Sequence, residues 1–274
     1  MDSPVLLAVH VYPVKSLAAC ARDEAVVRPW GLDGDRRWML IDSGNRVVTQ
    51  RQQPRLAPLS AVLRPDGGVD VSASGRAPLT VKVPEPVRTV GAELFRDKIE
   101  VVEAAPAAHA WFSAYLGTDV RLVHLDDPSR RRPVDPAYSN PGDMVSFADG
   151  FPLLVTTRAS LDALNSLIAQ GDLPDEGPLP MNRFRPSVVI DGTAPWAEDH
   201  WKRIAIGEVT FRVVKPCGRC VVTTTDQRTA KRGKEPLQTL ARHRRVGKDL
   251  HFGQNLIPDN TGPIRVGDPV RIFG

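Results

Sequence analysis

The chain has 274 residues, 42% hydrophobic and 25% charged, a globular composition with enough length for one large domain or two modest ones. Its 36 Lys and Arg against 32 Asp and Glu leave a formal charge of only +4, so nucleic acid is not implied and any cationic role must come from local clusters. No run of about 18 apolar residues occurs, and Met1-Asp2-Ser3-Pro4 leads into Val5-Leu6-Leu7-Ala8-Val9 without a basic leader, so a soluble cytoplasmic protein with no membrane segment is expected. Cys20, Cys217 and Cys220 are too few for a disulfide scaffold and are expected as thiols, available to a metal or to catalysis.

In chain order, short β-branched or alternating runs bounded by Gly, Pro, Asp or Ser predict strands over Leu6 to Val11, Trp38 to Ile41, Ala61 to Leu63, Leu79 to Val83 and Ile99 to Val102. Trp111, Phe112, Tyr115 and Leu116 at helical spacing predict a helix over Ala107 to Leu116, followed by a strand over Val120 to Leu125. A domain boundary is expected near residue 105, giving modules 1–105 and 106–274. The Pro- and Arg-rich stretch Asp126 to Gly142 predicts a long loop able to cover a site. A strand over Leu153 to Thr156 precedes a helix capped by Ser160 and ending at Gly171. Further strands are predicted over Ser187 to Ile190, Arg203 to Ile206, Val209 to Val214, Val221 to Thr225 and Pro263 to Ile272, with a short helix over Leu237 to Arg244. The basic runs Arg130-Arg131-Arg132 and Arg242 to Arg245 read as solvated faces.

Four segments carry chemistry. Cys217-Gly218-Arg219-Cys220 lies between two strand-like runs, whereas a redox dithiol places its reactive Cys at a helix N-terminus. A zinc site would need two further ligands, and His243 and His251 fall outside the usual spacing. Two buried structural thiols remain a reading of the pair. Against it, Lys215 and Arg219 flank the thiols and favour thiolates, which ligate soft or high-valent metals. Tyr12-Pro13-Val14-Lys15-Ser16 ends a strand in a turn presenting an ammonium and a hydroxyl, a pair suited to phosphate. Gly31-Leu32-Asp33-Gly34-Asp35-Arg36-Arg37-Trp38 is a Gly-rich turn delivering arginines into a strand. Arg183-Phe184-Arg185-Pro186 enters a strand whose alternation would put Arg183 and Arg185 on one face, as an anion clamp or as partners of a carboxylate. Tyr12 and Trp38 are expected to pack in the core.

These segments, with Arg51 to Leu56, Asn182 to Pro186, Cys217 to Thr224, Lys234-Glu235-Pro236-Leu237, Phe252-Gly253-Gln254 and Val266-Gly267-Asp268-Pro269-Val270, resemble the MOSC family preceded by its N-terminal β-barrel domain. The likeness runs nearly end to end and is nearest to the amidoxime-reducing components and bacterial reductases of N-hydroxylated compounds. It implies a mainly β fold with α+β elements: an N-terminal β-barrel-like module and a C-terminal MOSC β-barrel with a few helices. It also implies a molybdenum–molybdopterin cofactor between the modules, ligated by one thiolate, with Cys220 aligned as metal ligand and catalytic residue and Cys217 as the alternative. Lys15, Ser16 and Arg36 match cofactor contacts of the first module. Arg183 joins them from the paired arginines, while Arg185, Gly218 and Arg219 match contacts of the second module. Gly150 and Phe151 of Asp149-Gly150-Phe151-Pro152 match by backbone position. Asn255 stands where relatives can carry an aromatic residue, a departure from the pattern.

The activity so implied is reduction of N-hydroxylated or N-oxide compounds by oxygen abstraction at molybdenum. The residues contain no flavin motif and too few cysteines for a four-Cys iron–sulfur site beside the metal ligand. Electrons are therefore expected from a separate ferredoxin, flavodoxin-type or cytochrome reductase system, with small N-oxygenated molecules as the other partners. Two competing expectations are sulfur transfer through a cysteine persulfide and non-catalytic carriage of the cofactor. Sulfurases of the family add a desulfurase domain not found in this sequence.

Overall fold

Alternating burial along Val5–Val11 puts Leu6, Val9 and Val11 into a core, as period-two patterning requires of a strand with one apolar face. The computed structural model describes residues 3–273, without the side chains of Arg130 and Arg131. Met1 and Asp2, where the expectation about the N-terminus begins, thus lie outside the described residues, as do two side chains of the Arg130-Arg131-Arg132 run.

Val5–Val11 pairs antiparallel with Val188–Asp191 and with Cys20–Arg22, in one sheet with Leu153–Thr157, Asp249–Pro258, Val209–Gly218, Arg203–Ile206 and Val270–Phe273. The far end returns to the first strand: Val5 bridges Pro269, and the Val270 amide donates to the Pro4 carbonyl at 2.8 Å. The sheet thereby nearly closes into a barrel, which relieves its edges. Leu6, Val9, Leu153, Val155, Val188, Ile190, Ile204, Ile206 and Phe211 fill its interior. The opening strand of the chain therefore belongs to a barrel built mostly from its second half.

Two smaller sheets form the other body. Trp38–Asp42 pairs with Val120–His124 and Val47–Val48, and Val120–His124 continues to Asp97–Glu103 and Thr89–Leu94. Ser60–Leu63, Val69–Ser72 and Leu79–Val81 form the second sheet. The helix Pro106–Leu116 buries Ala108, Phe112 and Leu116 in the same core as Trp38, Leu40, Leu56 and Val71. It starts on Pro106, whose missing N–H costs nothing there, and stops at Gly117 in the left-handed region.

Four local expectations need correction. Val221 to Thr225 is not a strand: Val221–Thr224 is a 3-10 turn, because the Thr223 and Thr224 hydroxyls donate back to the Cys220 and Val221 carbonyls, each at 2.9 Å. Pro263 to Ile272 is two strands, Gly262–Arg265 and Val270–Phe273, parted by a turn in which Asp268 accepts from the Arg265 amide at 2.7 Å. The cap of the helix Arg158–Ala169 is Thr157, whose hydroxyl accepts from the Ser160 amide at 3.1 Å, while Ser160 itself donates to buried Glu198. Arg183 and Arg185 do not alternate along a strand, since Met181–Arg183 is 3-10 and Arg185 has φ 54°. Among the described residues, no helix is long and apolar enough to cross a membrane.

Candidate functional site

A cleft with a cavity volume of about 180 Å³ opens between the barrel and the smaller sheets. Its lining includes Lys15, Ser16, Arg36, Gly150, Phe151, Arg183, Arg185, Gly218, Arg219, Cys220 and Asn255, together with Cys217. Segments separated by some two hundred residues of chain thus meet around one space.

The first body delivers its residues through strained turns. Val14 bridges Trp38, and the Lys15 amide donates to the Trp38 carbonyl at 2.7 Å. Ser16 at φ 71° and Arg36 at φ 46° sit in the left-handed region, where a non-Gly residue persists only if its surroundings over-determine it. Those surroundings are visible: the Arg36 amide donates to the Tyr12 carbonyl at 2.7 Å, and the Phe147 amide to the Arg36 carbonyl at 2.9 Å. Gly31 is held against the cleft loop, because a Cβ on it would meet the Pro152 carbonyl oxygen at 2.7 Å.

Lys15 is 5% exposed. Its ammonium donates to the Phe147 carbonyl at 2.8 Å and to the Asp149 carboxylate. Burial lowers its pKa to about 8, with Asp149 opposing the shift. The Asp149 side chain is 64% exposed in the cleft; nearby protein would raise its pKa, but Lys15 and Arg51 overcome this and hold the carboxyl well below the usual range. Arg51 reaches Asp149 at 3.2 Å and lies near enough to Cys220 to feel it electrostatically. Burial would lower the pKa of Arg51, and Asp149 and Cys220 more than offset that.

Tyr12 is not simply core. Its ring is a spacer between two guanidiniums, Arg36 at 4.3 Å and Arg185 at 4.4 Å from its centroid, and its hydroxyl donates to the Pro186 carbonyl at 3.1 Å. Burial pushes the phenol up to about 12 despite both arginines. Arg36 is fixed at 2.5 Å by Asp35, whose other oxygen accepts from the Tyr12 amide at 2.7 Å. Burial would lower the pKa of Arg36, and Asp35 instead raises it above its usual value. Among the described residues Arg185 makes no ion pair with a carboxylate: burial, reinforced by Arg36, lowers it to about 10. Its guanidinium donates to the Gln227 amide oxygen at 3.4 Å.

On the barrel side, Val209–Gly218 carries Cys217 to the cleft edge, and Cys220 starts the 3-10 turn. Arg219 donates to the Cys217 sulfur at 2.7 Å and to the Phe184 carbonyl. Lys215 departs from the expectation that it flanks the thiols, lying instead 4.3 Å over the Tyr138 ring. Tyr138 comes from the long loop and packs edge-on against Phe151, so that loop does border the cleft. Arg183 lines the cleft but is partly spent on Asp226 at 3.4 Å and the Thr223 carbonyl at 3.3 Å. Asn255 opposes Lys215 at a register shift and donates to its carbonyl at 3.1 Å.

Residues that the sequence reading left out are Arg51, Asp149, Thr49, Gln50 and Thr223, all lining the cleft. Arg51 and Asp149 sat inside quoted segments, but no local spacing shows that they pair across 98 residues. Gln50 and Gln227 form a reciprocal amide pair at 3.1 and 3.2 Å that ties the two bodies together. Among the described residues, no group of three or more His, Cys, Asp or Glu could hold a metal by itself.

The sequence matches the profile of the MOSC N-terminal beta barrel domain over residues 3–119 and that of the MOSC domain over residues 142–271. Human mitochondrial amidoxime-reducing component 1 is 33% identical over 282 residues, covering 96% of this chain and 81% of that protein. The mouse protein of the same name matches with the same identity and coverage. A molybdenum cofactor sulfurase of rice is 29% identical over 265 residues, covering 90% of this chain but 32% of the sulfurase. The chain belongs to the MOSC-domain family that includes the mitochondrial amidoxime-reducing components.

Proposed function

We propose that the chain binds a molybdenum pterin cofactor in this cleft and reduces N-hydroxylated or N-oxide compounds, with electrons from a separate redox protein. The observation that carries this reading is the convergence of Lys15, Arg36, Arg185 and Arg219 with two thiols on one cleft between two bodies. A phosphate-bearing dithiolene is polyanionic and needs both the cations and a soft metal ligand.

The donor set fits such a group. The Nε atoms of Arg183 and Arg219 are buried with no hydrogen-bond partner among the described residues, a state that a ligand acceptor would relieve. A Cβ at Gly150 would meet nothing within 4 Å, so the loop backbone faces open space. We assign Lys15, Ser16 and Arg36 as holding groups from the first body, and Arg183, Arg185, Gly218, Arg219 and Asn255 from the second. Gly150 and Phe151 line the approach. Cys220 is the proposed metal ligand: it lines the cleft, while the Cys217 sulfur is taken up by Arg219.

When bound, the cofactor supplies two-electron cleavage of the substrate N–O bond, with two protons taken up and water released. The protein's own part is placement and charge. Tyr12 keeps Arg36 and Arg185 apart, Asp35 keeps Arg36 charged, and Asp149 orients Lys15 and Arg51 at the cleft floor. The test is benzamidoxime reduction by molybdenum-loaded protein with a chemical reductant. Turnover is expected; loaded, folded protein without turnover contradicts the reductase reading. A persulfide on Cys217 or Cys220, found by mass spectrometry in place of bound molybdenum, would assign sulfur transfer instead.

A further inference from the structure

Charge is unevenly distributed along the chain. Residues 226–249 hold eight Lys or Arg against three Asp or Glu, a net +5, whereas the whole chain carries +4; the other residues therefore sum to −1. The basic run Arg242 to Arg245, a solvated face by sequence, is only part of this segment, whose position in the fold brings further cations to the cysteine loop.

This segment wraps the cysteine loop from two sides. On one side Thr225 bridges Arg232, the Gly233 amide donates to the Thr224 carbonyl at 3.0 Å, and the Arg232 guanidinium donates to the Gln50 carbonyl at 2.6 Å. On the other, the hairpin of Arg245–Val246 with Asp249–Pro258 lies against the loop, where the Arg219 amide donates to the Leu250 carbonyl at 2.7 Å. Some of the cations are neutralised locally, Arg242 by Asp172 and Arg244 by Asp199. Arg228, Lys231, Lys234 and Lys248 are exposed and have no ion pair among the described residues. Two apolar side chains stand out with them, Val221 beside Cys220 at 36% exposure and Val246 at the hairpin tip at 64%.

We propose that the face of residues 226–249 docks an acidic one-electron carrier protein beside the cysteine loop. Unpaired cations around a small apolar surface favour fast, salt-sensitive encounter over tight binding. Such encounter suits a carrier that must deliver one electron and leave, twice per turnover. What the carrier delivers rests on the reductase reading: two electrons from two carriers and two protons from water cleave one N–O bond and release one water, each carrier leaving oxidised. The docking itself rests on charge and position alone.

The test uses the full, cofactor-loaded chain, an acidic [2Fe–2S] ferredoxin as carrier and reduced methyl viologen as a small reductant. In the triple variant Arg228→Glu, Lys231→Glu, Lys248→Glu, KM for ferredoxin is expected to rise by about tenfold or more, and the salt dependence of the ferredoxin-driven rate to be lost. The viologen-driven rate should stay the same. Unchanged ferredoxin kinetics, or an equal fall with both reductants, overturns the proposal. If wild-type protein turns over with neither reductant, the reductase reading fails, and ferredoxin line broadening in NMR at low salt decides the surface separately. Broadening by wild type that vanishes in the variant upholds the docking face. No broadening by wild type overturns it, and so does retention of nucleic acid that the variant loses while ferredoxin binding is unchanged.

Discussion

The cleft and the 226–249 face are both rich in Lys and Arg, yet they use these residues in opposite ways. In the cleft, Lys15, Arg36 and Arg185 are surrounded by protein, and two of them are pulled well below their usual pKa by burial. Each is held by defined partners: a carboxylate, a carbonyl or the Tyr12 ring. On the face, Arg228, Lys231 and Lys248 are exposed and have no ion pair among the described residues. Desolvated cations at fixed positions grip a small anion in one geometry and are little screened by salt. Solvated cations attract over a distance and lose that attraction as salt rises. The same residue types are thus suited to retention in one region and to recruitment in the other.

Breaking the buried set should cost most. Asp35→Ala removes the partner of Arg36 and of the Tyr12 amide in a fully buried position, and is expected to destabilise the fold by roughly 3–5 kcal/mol in chemical denaturation. Gln227→Ala, which unties Gln50 and leaves its buried amide short of a partner, should cost about 1–3 kcal/mol by the same measurement. The Arg228→Glu, Lys231→Glu, Lys248→Glu variant should change stability by no more than about 0.5 kcal/mol per site. A large loss there would erase the contrast between the two regions.

A pH titration sharpens the contrast further. With its pKa lowered to about 8, Lys15 is an ammonium below that pH and neutral above it, whereas an ordinary lysine stays charged to about 10.4. Cofactor affinity should therefore fall as pH rises past about 8, by at most about tenfold per pH unit for one proton. Lys15→Arg, charged throughout this range, should flatten that fall. Unchanged pH dependence in Lys15→Arg would remove Lys15 from the anion site.

Much of the site was legible in the sequence because its residues cluster in short motifs with unusual local chemistry. Tyr12-Pro13-Val14-Lys15-Ser16, the Gly31 to Trp38 turn and Cys217-Gly218-Arg219-Cys220 each announce a turn that presents charge or sulfur, and all meet at the cleft. The strands along the chain were legible wherever burial alternates, as in Val5–Val11. Partnership across the chain was not. Nothing local to Arg51 shows that it reaches Asp149 and lies near Cys220, and nothing local to Tyr12 shows that its ring separates two arginines. Threonine-rich Val221 to Thr225 misled for a different reason, since β-branched residues favour strands but hydroxyls can close a 3-10 turn. Nor does the sequence announce that its first strand completes the barrel of its second half.

Ligation of molybdenum by Cys220 in this cleft is the proposal on which the other assignments depend. Metal analysis of wild type, Cys220→Ala and Cys217→Ala, purified alike and checked for folding by circular dichroism, tests it directly. Near-stoichiometric molybdenum is expected in wild type, with loss in Cys220→Ala and substantial retention in Cys217→Ala. Full molybdenum in folded Cys220→Ala, or none in folded wild type from molybdenum-replete cells, would contradict it.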